Sequence, residues 1–296
     1  MAGNKANNTY LFHKFEAANN REGSRATQAS RASHLHIAAR QLSEMGYRHL
    51  SPRNLKRKHV EALVNHWLQA KLAIVTIKSR VSTVRWLARK IGKPNVVPRT
   101  NAELGIPDRS RVANLSKAFT LTPEMLARVP SPYVRVSLEL EEKFGLRREE
   151  ATKIRPNEAD KGNRLLLQGS WCKGRKRREI PIRTDEQRRL LERAKELALT
   201  TPEGSLIPEQ TYVRHIKVYE RQTYRAGIRS PHGLRHAYAQ ARYEELTGRP
   251  CPAVGGLSRK ELKTAREKAL NDRARRIISE EMGHSRRQIL SVYCGT

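Results

Sequence analysis

The sequence predicts a mainly α protein with one small antiparallel sheet, an α+β fold divided into two domains. Three observations carry this reading. Apolar residues recur at steps of three and four along most of the chain, the period of a helix with one buried face. That pattern gives way to two short strand-like runs in one place only, Arg164–Leu167 followed by Gln168-Gly169, and Arg178 to Ile182. An aperiodic stretch holding Pro94, Pro98, Gly105 and Pro107 separates a strongly basic N-terminal part from the remainder.

Residues 1–27 are polar and aperiodic and read as a mobile arm. From about Thr27 to Met45, Leu35, Ala38, Leu42 and Met45 make the stripe of a first helix. A second is expected from about Lys58 to Gln69 on Val60, Leu63, Val64, Trp67 and Leu68, and a third from about Thr76 to Ile91 on Ile77, Val81, Val84, Ala88 and Ile91. Together they give a helical domain over 28–95, in which His34, His36, His59 and His66 read as packing or surface residues. A linker over 96–120 follows. Thr122-Pro123-Glu124 is a helix start, with a capping hydroxyl, proline at the first position and an acid in the first turn. It opens a second domain over 121–296, in which a helix runs from about Tyr133 to Phe144-Gly145 and another begins after Arg147. The two strand-like runs enclose a cation-rich hairpin turn, Ser170 to Arg177. Helical periodicity resumes over Asp185–Leu199, Tyr212–Ala226 and Leu234–Leu246. After a Pro250–Gly256 loop, a long charged helix is expected over Arg259–Met282, then a short one over Gln288–Tyr293.

Composition narrows the function. The 296 residues carry 59 Lys+Arg against 29 Asp+Glu, a formal charge of +30. Of this, +16 falls in residues 1–120 and +14 in 121–296. Self-repulsion on that scale calls for a polyanionic partner, and double-stranded nucleic acid leads. A mean hydropathy of −0.73 and the absence of a long apolar run argue against membrane partners. The N-terminal residues lack the apolar centre of a signal peptide. Cys172, Cys251 and Cys294 are widely spaced, without the spacing of zinc ligands. The expectation is a soluble protein of a reducing cytoplasm, associated with the nucleoid when bound to DNA.

Four short clusters carry chemistry. Gly145-Leu146-Arg147-Arg148-Glu149-Glu150 sets an arginine at a helix start, with Arg148 the rival to Arg147. Trp171-Cys172-Lys173-Gly174 puts a lysine in the hairpin, with Arg175 and Lys176 as substitutes. Pro231 to His236 places His232 and Arg235 three apart, neighbours on one helix face. Gly283-His284-Ser285 is followed by Tyr293, nine residues beyond the histidine. No acidic cluster suits magnesium and no glycine-rich loop suits a nucleotide phosphate, so neither a metal nor another cofactor is expected.

In this order, Arg147, Lys173, His232-x-x-Arg235, His284 and Tyr293 resemble the tyrosine recombinase (phage integrase) family, from about Ser33 to the C-terminus. The resemblance implies a helical core-binding domain and a tyrosine-recombinase catalytic domain that close around a duplex. It further implies a site-specific DNA recombinase that cleaves and rejoins strands through a 3′-phosphotyrosine, in the integration or excision of a mobile element. Such an enzyme works as a homotetramer on two DNA sites, sometimes with an accessory DNA-bending factor.

The residue types fit that chemistry. Phosphoryl transfer without a metal needs fixed cations at the non-bridging oxygens, and Arg147 and Arg235 supply bidentate forks. A free phenol loses its proton only near pH 10, so Tyr293 needs a base, and His232 is the candidate. Lys173 on its turn is the candidate acid for the 5′-oxygen, and His284 the phosphate donor. Glu150 and His236 read as supporting residues. Lys78, Arg80, Arg85, Arg89 and Lys90 on the third helix, with Arg175 and Lys176 in the turn, read as DNA contacts. Two departures stand out. Forty-nine residues separate Arg235 from His284, an excess placed at about 248–272. Only Cys294, Gly295 and Thr296 follow the tyrosine, where many relatives carry a helix that docks on the next protomer, so exchange through that helix is not expected. The rival readings are a type IB-like topoisomerase and a DNA-binding accessory protein without catalysis, for which Tyr293 merely packs a terminal helix.

Overall fold

A computed structural model describes residues 22–108, 115–284 and 286–296. Most of the expected N-terminal arm and residues 109–114 of the expected linker lie outside the described residues. The chain divides into two compact units, Met1–Ser110 and Arg111–Thr296.

The first unit is built on three helices, α1 (Arg25–Glu44), α2 (Arg57–Gln69) and α3 (Ile74–Lys90). Their apolar stripes meet in a core of Leu35, Leu42, Leu63, Trp67, Ile77 and Leu87, all almost wholly removed from water. Each such side chain contributes about 1.5–3 kcal/mol on burial. Ser24 caps α1, its Oγ accepting from the Thr27 amide at 3.2 Å. The Trp67 indole donates to Gln41 Oε1 at 2.7 Å, which satisfies its one polar atom inside the core. After α3 the chain folds back over its own helix. Arg85 holds that return by donating to Pro98 O, Asn101 Oδ1 and Thr100 O at 3.1, 2.9 and 3.0 Å.

The second unit begins with α4 (Pro123–Ala127), where Thr122 Oγ1 accepts from the Met125 amide as its sequence suggests. Then come α5 (Pro132–Phe144), α6 (Arg148–Lys153) and α7 (Pro156–Ala159). Strands β1 (Arg164–Leu167) and β2 (Arg178–Pro181) pair antiparallel with Arg164 opposite Pro181 and Leu167 opposite Arg178. The segment between them is not a plain hairpin turn but two single 3-10 turns, Gly169–Trp171 and Lys173–Arg175. The remaining helices are α8 (Asp185–Ala198), α9 (Tyr212–Arg225), α10 (His232–Thr247), α11 (Ala265–Glu281) and α12 (Ser291–Cys294). Helix α10 packs on α5, α11 and α12 and forms the spine of the unit. Around it Leu140, Phe144, Leu146, Leu165, Ile180, Leu191, Ala239, Tyr243 and Ile278 make the main core.

Two boundaries differ from expectation and bear on the site. Helix α10 starts two residues before Leu234, so His232 is its first residue. The long charged helix starts at Ala265, not Arg259, because Thr264 and Glu267 form a capping box: Thr264 Oγ1 accepts from the Glu267 amide while Glu267 accepts from the Thr264 amide. Residues 259–264, within the 248–272 segment, are therefore irregular, and Arg259 instead pairs with Asp272 at 2.9 Å. Among the described residues no helix is long and apolar enough to cross a membrane.

Candidate active site

Three chain segments deliver the site side chains to one place in the second unit. The first follows α5. Gly145 ends that helix with φ +59°, a left-handed turn natural to glycine, and a Cβ there would lie 2.4 Å from the Tyr238 ring. The turn leads to Leu146, buried in the core, and so fixes Arg147 as the residue before α6. Arg147 is held by Glu150 twice: the carboxylate accepts from the Arg147 amide at 2.8 Å and from its Nη1 at 2.8 Å. Its other nitrogen, Nη2, reaches only toward Gly283 O at 3.5 Å. The rival Arg148 turns away, pairing with Glu220 at 2.8 Å in a solvent-exposed position.

The second segment is the start of α10, which has no side-chain cap, so its N-terminal amides add partial positive charge. Arg235 is wholly buried. It donates to Gly145 O, Met282 O and, at 3.2 Å, His284 Nε2. Its Nε has no partner among the described residues. Burial, with Arg147 adding repulsion, lowers its pKa to about 10, which leaves it cationic at neutral pH. His232 sits at the helix tip. Partial desolvation of its ring at this otherwise exposed position, then the Arg235 and Arg147 charges, hold it below the usual histidine range and so neutral near pH 7.

The third segment is the C-terminal one. Gly283 takes φ +65° after α11 and presents His284, whose ring stacks on Tyr293 at 5.3 Å between centroids. Tyr293 is only 5% exposed, and its hydroxyl lies 3.2 Å from His232 Nε2. The His236 ring also lies against Tyr293, at 4.5 Å between centroids. Burial, reinforced by the nearby cations, drops His284 to about 3; burial, reinforced by His232, drops His236 to about 4. Both are neutral at pH 7. Because His284 Nε2 accepts from Arg235, its Nδ1 carries the hydrogen, and that buried atom has no partner among the described residues.

Arg147, Glu150, His232, Arg235, His236, His284 and Tyr293 thus converge. Lys173, Arg175 and Lys176 do not: they stand exposed on the turn before β2, engaged with none of the site residues. On the first unit, Lys78 pairs with Asp108 at 3.1 Å and Lys90 with Glu22. Arg80 lies 5.4 Å over the Trp67 ring, Arg85 is committed to its own loop, and Arg89 is exposed. Among the described residues no group of three or more His, Cys, Asp or Glu side chains is placed to hold a metal ion.

One residue at the site escaped sequence reasoning. Arg178, 9% exposed, forks onto Glu150 with Nη1–Oε1 at 3.0 Å and Nη2–Oε2 at 2.6 Å. The signal was present in β2, whose alternation puts Arg178 and Ile180 on the buried face.

Comparison with known proteins bears on the family and the fold. A family model described as the N-terminal part of phage integrases matches residues 14–97, and one described as integrase matches 115–241. The chain belongs to the tyrosine recombinase (phage integrase) family. Members of this family are site-specific recombinases that cleave and rejoin DNA strands. Arg147, Lys173, His232 and Arg235 fall inside the integrase match, while His284 and Tyr293 follow it. The fold is similar to a lambda integrase (75–356) dimer bound to a COC′ core site, at 16% identity and TM-score 0.58, covering 96% of this chain and 94% of that one. It is similar to XerH site-specific recombinase in a post-cleavage complex with palindromic difH, at 16% identity and TM-score 0.60, covering 92% and 77%. It also resembles the Tn1549 transposon integrase with circular intermediate DNA, at 13% identity and TM-score 0.51, covering 96% and 94%. No curated protein matches the sequence.

Proposed function

We propose that this integrase-family protein cuts and reseals duplex DNA through a covalent bond between Tyr293 and a 3′-phosphate, during integration or excision of a mobile element. The observation that carries the reading is the Tyr293 hydroxyl 3.2 Å from a neutral His232 Nε2, beside the buried Arg235 and the half-buried Arg147. Tyr293 Oη attacks phosphorus and passes its proton to His232. Arg147 and Arg235 meet the charge that grows on the non-bridging oxygens. The unpartnered donors Arg235 Nε and His284 Nδ1 are what a phosphate oxygen would satisfy. The bond to the 5′-oxygen breaks, and Lys173, swinging in from its exposed turn, gives that oxygen a proton. Glu150 holds Arg147, and His236 holds the tyrosine ring. The phosphotyrosine retains the phosphodiester linkage, so a second 5′-hydroxyl displaces the tyrosine without a nucleotide cofactor.

Lys78, Arg80, Arg89 and Lys90 of α3, with Arg175 and Lys176, supply backbone contacts to double-stranded DNA in this proposal, and Arg85 shapes the loop beside them. Exchange between two sites would engage four copies, with an accessory DNA-bending factor where the sites require one. The test is a nicked suicide duplex that loses its 5′-hydroxyl fragment after cleavage. The protein should form an adduct that survives denaturation, and Tyr293→Phe should bind the same duplex without forming it. Adducts in the variant at the wild-type level would refute the assignment. Relaxation of supercoils without exchange between two sites would instead assign type IB topoisomerase chemistry.

A further inference from the structure

Arg178 spends its guanidinium on three separate pieces of the second unit. Two nitrogens fork onto the Glu150 carboxylate, at 3.0 and 2.6 Å. Nη1 also reaches Cys172 Sγ at 3.4 Å, and Nε donates to Glu281 O at 2.8 Å. Each partner stands one or a few residues from a side chain assigned to the chemistry. Glu150 holds Arg147 by backbone and side chain, Cys172 precedes Lys173, and Glu281 lies three residues before His284. The packing is tight as well: a Cβ on Gly283 would fall 2.9 Å from Arg178 Cδ.

We infer that Arg178 is the positioning residue of this site, setting Arg147 through Glu150 and anchoring the turn of Lys173 and the segment of His284. The inference rests on the Tyr293 reading above. Arg178 does not itself reach a phosphate, since its side chain is 6% exposed and its donors face the protein. Arginine is needed because a planar fork can meet both carboxylate oxygens and still point Nε elsewhere, whereas lysine brings a single point of charge. The Glu150 carboxylate, wholly buried, is shared between two guanidinium groups. With that carboxylate fixed, Arg147 keeps one fork edge that makes only the long 3.5 Å approach to Gly283 O, free to meet an incoming anion.

The experiment is a double-mutant cycle on the full chain, read as the single-turnover rate of adduct formation on the suicide duplex with DNA affinity measured alongside. Arg178→Lys should slow adduct formation about 100-fold, as a misplacement near 1 Å does, while DNA affinity stays within about threefold. In an Arg147→Ala background the same change should cost less than about tenfold, because most of the route through Arg147 is already gone. A merely structural role would lower the fraction of active protein and cost the same factor in both backgrounds. Glu150→Asp, which keeps the charge but shortens the link, should reproduce the loss and serves if Arg178→Lys does not fold. Wild-type rates in Arg178→Lys, or an undiminished loss beside Arg147→Ala, would overturn the inference while leaving Tyr293 in place. Absence of any wild-type adduct would bring down both.

Discussion

Replacing Glu150 by Gln tests the electrostatic centre of the site. Burial alone would raise this carboxyl, but the Arg178 fork, aided by Arg147 and Arg235, outweighs it and lowers the pKa from 4.5 to about 2. Each pH unit of that displacement is worth about 1.4 kcal/mol, so the ionised form adds on the order of 3 kcal/mol to the stability of the second unit. The sign follows from the direction. A depressed carboxyl contributes in full above its unfolded value of 4.5 and loses the contribution as pH falls toward 2. Glu141 works the other way, since burial lifts it to about 8, but it is common to both proteins and cancels in the difference. The assay is urea unfolding followed by Trp171 emission, with Trp67 and Trp86 replaced by Phe in both proteins so that only the second unit reports. Glu150→Gln should be less stable by about 3 kcal/mol at pH 7, and the gap should close progressively from pH 4.5 downward. A gap that stays constant between pH 7 and 3 would refute the ion-pair account.

Three further outcomes are expected. Arg147→Ala should slow adduct formation about 100- to 1000-fold, the cost of one oxyanion donor, while Arg148→Ala, whose side chain pairs with exposed Glu220, should stay within a few fold. Gly145→Ala combines a left-handed backbone with a 2.4 Å approach to the Tyr238 ring, whose hydroxyl is tied to Glu281. It should lower the melting temperature of the second unit by about 5–10 °C, against about 2–4 °C for Gly248→Ala, which has the same backbone sign and open space. DNA affinity should fall steeply with salt, the logarithmic slope being about −0.9 per phosphate neutralised; a flat dependence would contradict backbone-led binding.

The helices were legible because each buries one face and the step of three and four survives in single residues such as Leu35, Leu42, Leu63 and Val81. Helix ends were legible where a side chain closes them, as at Thr122. The same signal at Thr264 and Glu267 was hidden in a charge-rich stretch, Arg259 to Lys268, that reads as helix on both sides. At the site, order and type, read through the family resemblance, named Arg147, His232, Arg235, His284 and Tyr293, which glycine turns at 145 and 283 and the tip of α10 bring together. Arg178 was legible only through its alternation with Ile180. It ends a run of cations, Arg175 to Arg178, in which composition points every side chain to solvent. Pairing with β1 then sets Leu167 opposite it. Arg85 shows the converse, a basic residue that reads as a DNA contact in the sequence while its side chain donates to the carbonyls of its own loop.

The central claim is that Tyr293 is the nucleophile. The most direct measurement digests the protein–DNA adduct with protease and nuclease and locates the nucleotide by mass spectrometry. A nucleotide mass is expected on the peptide that contains Tyr293, on the tyrosine itself. The same mass on any of the other eight tyrosines, or on a serine, would contradict it.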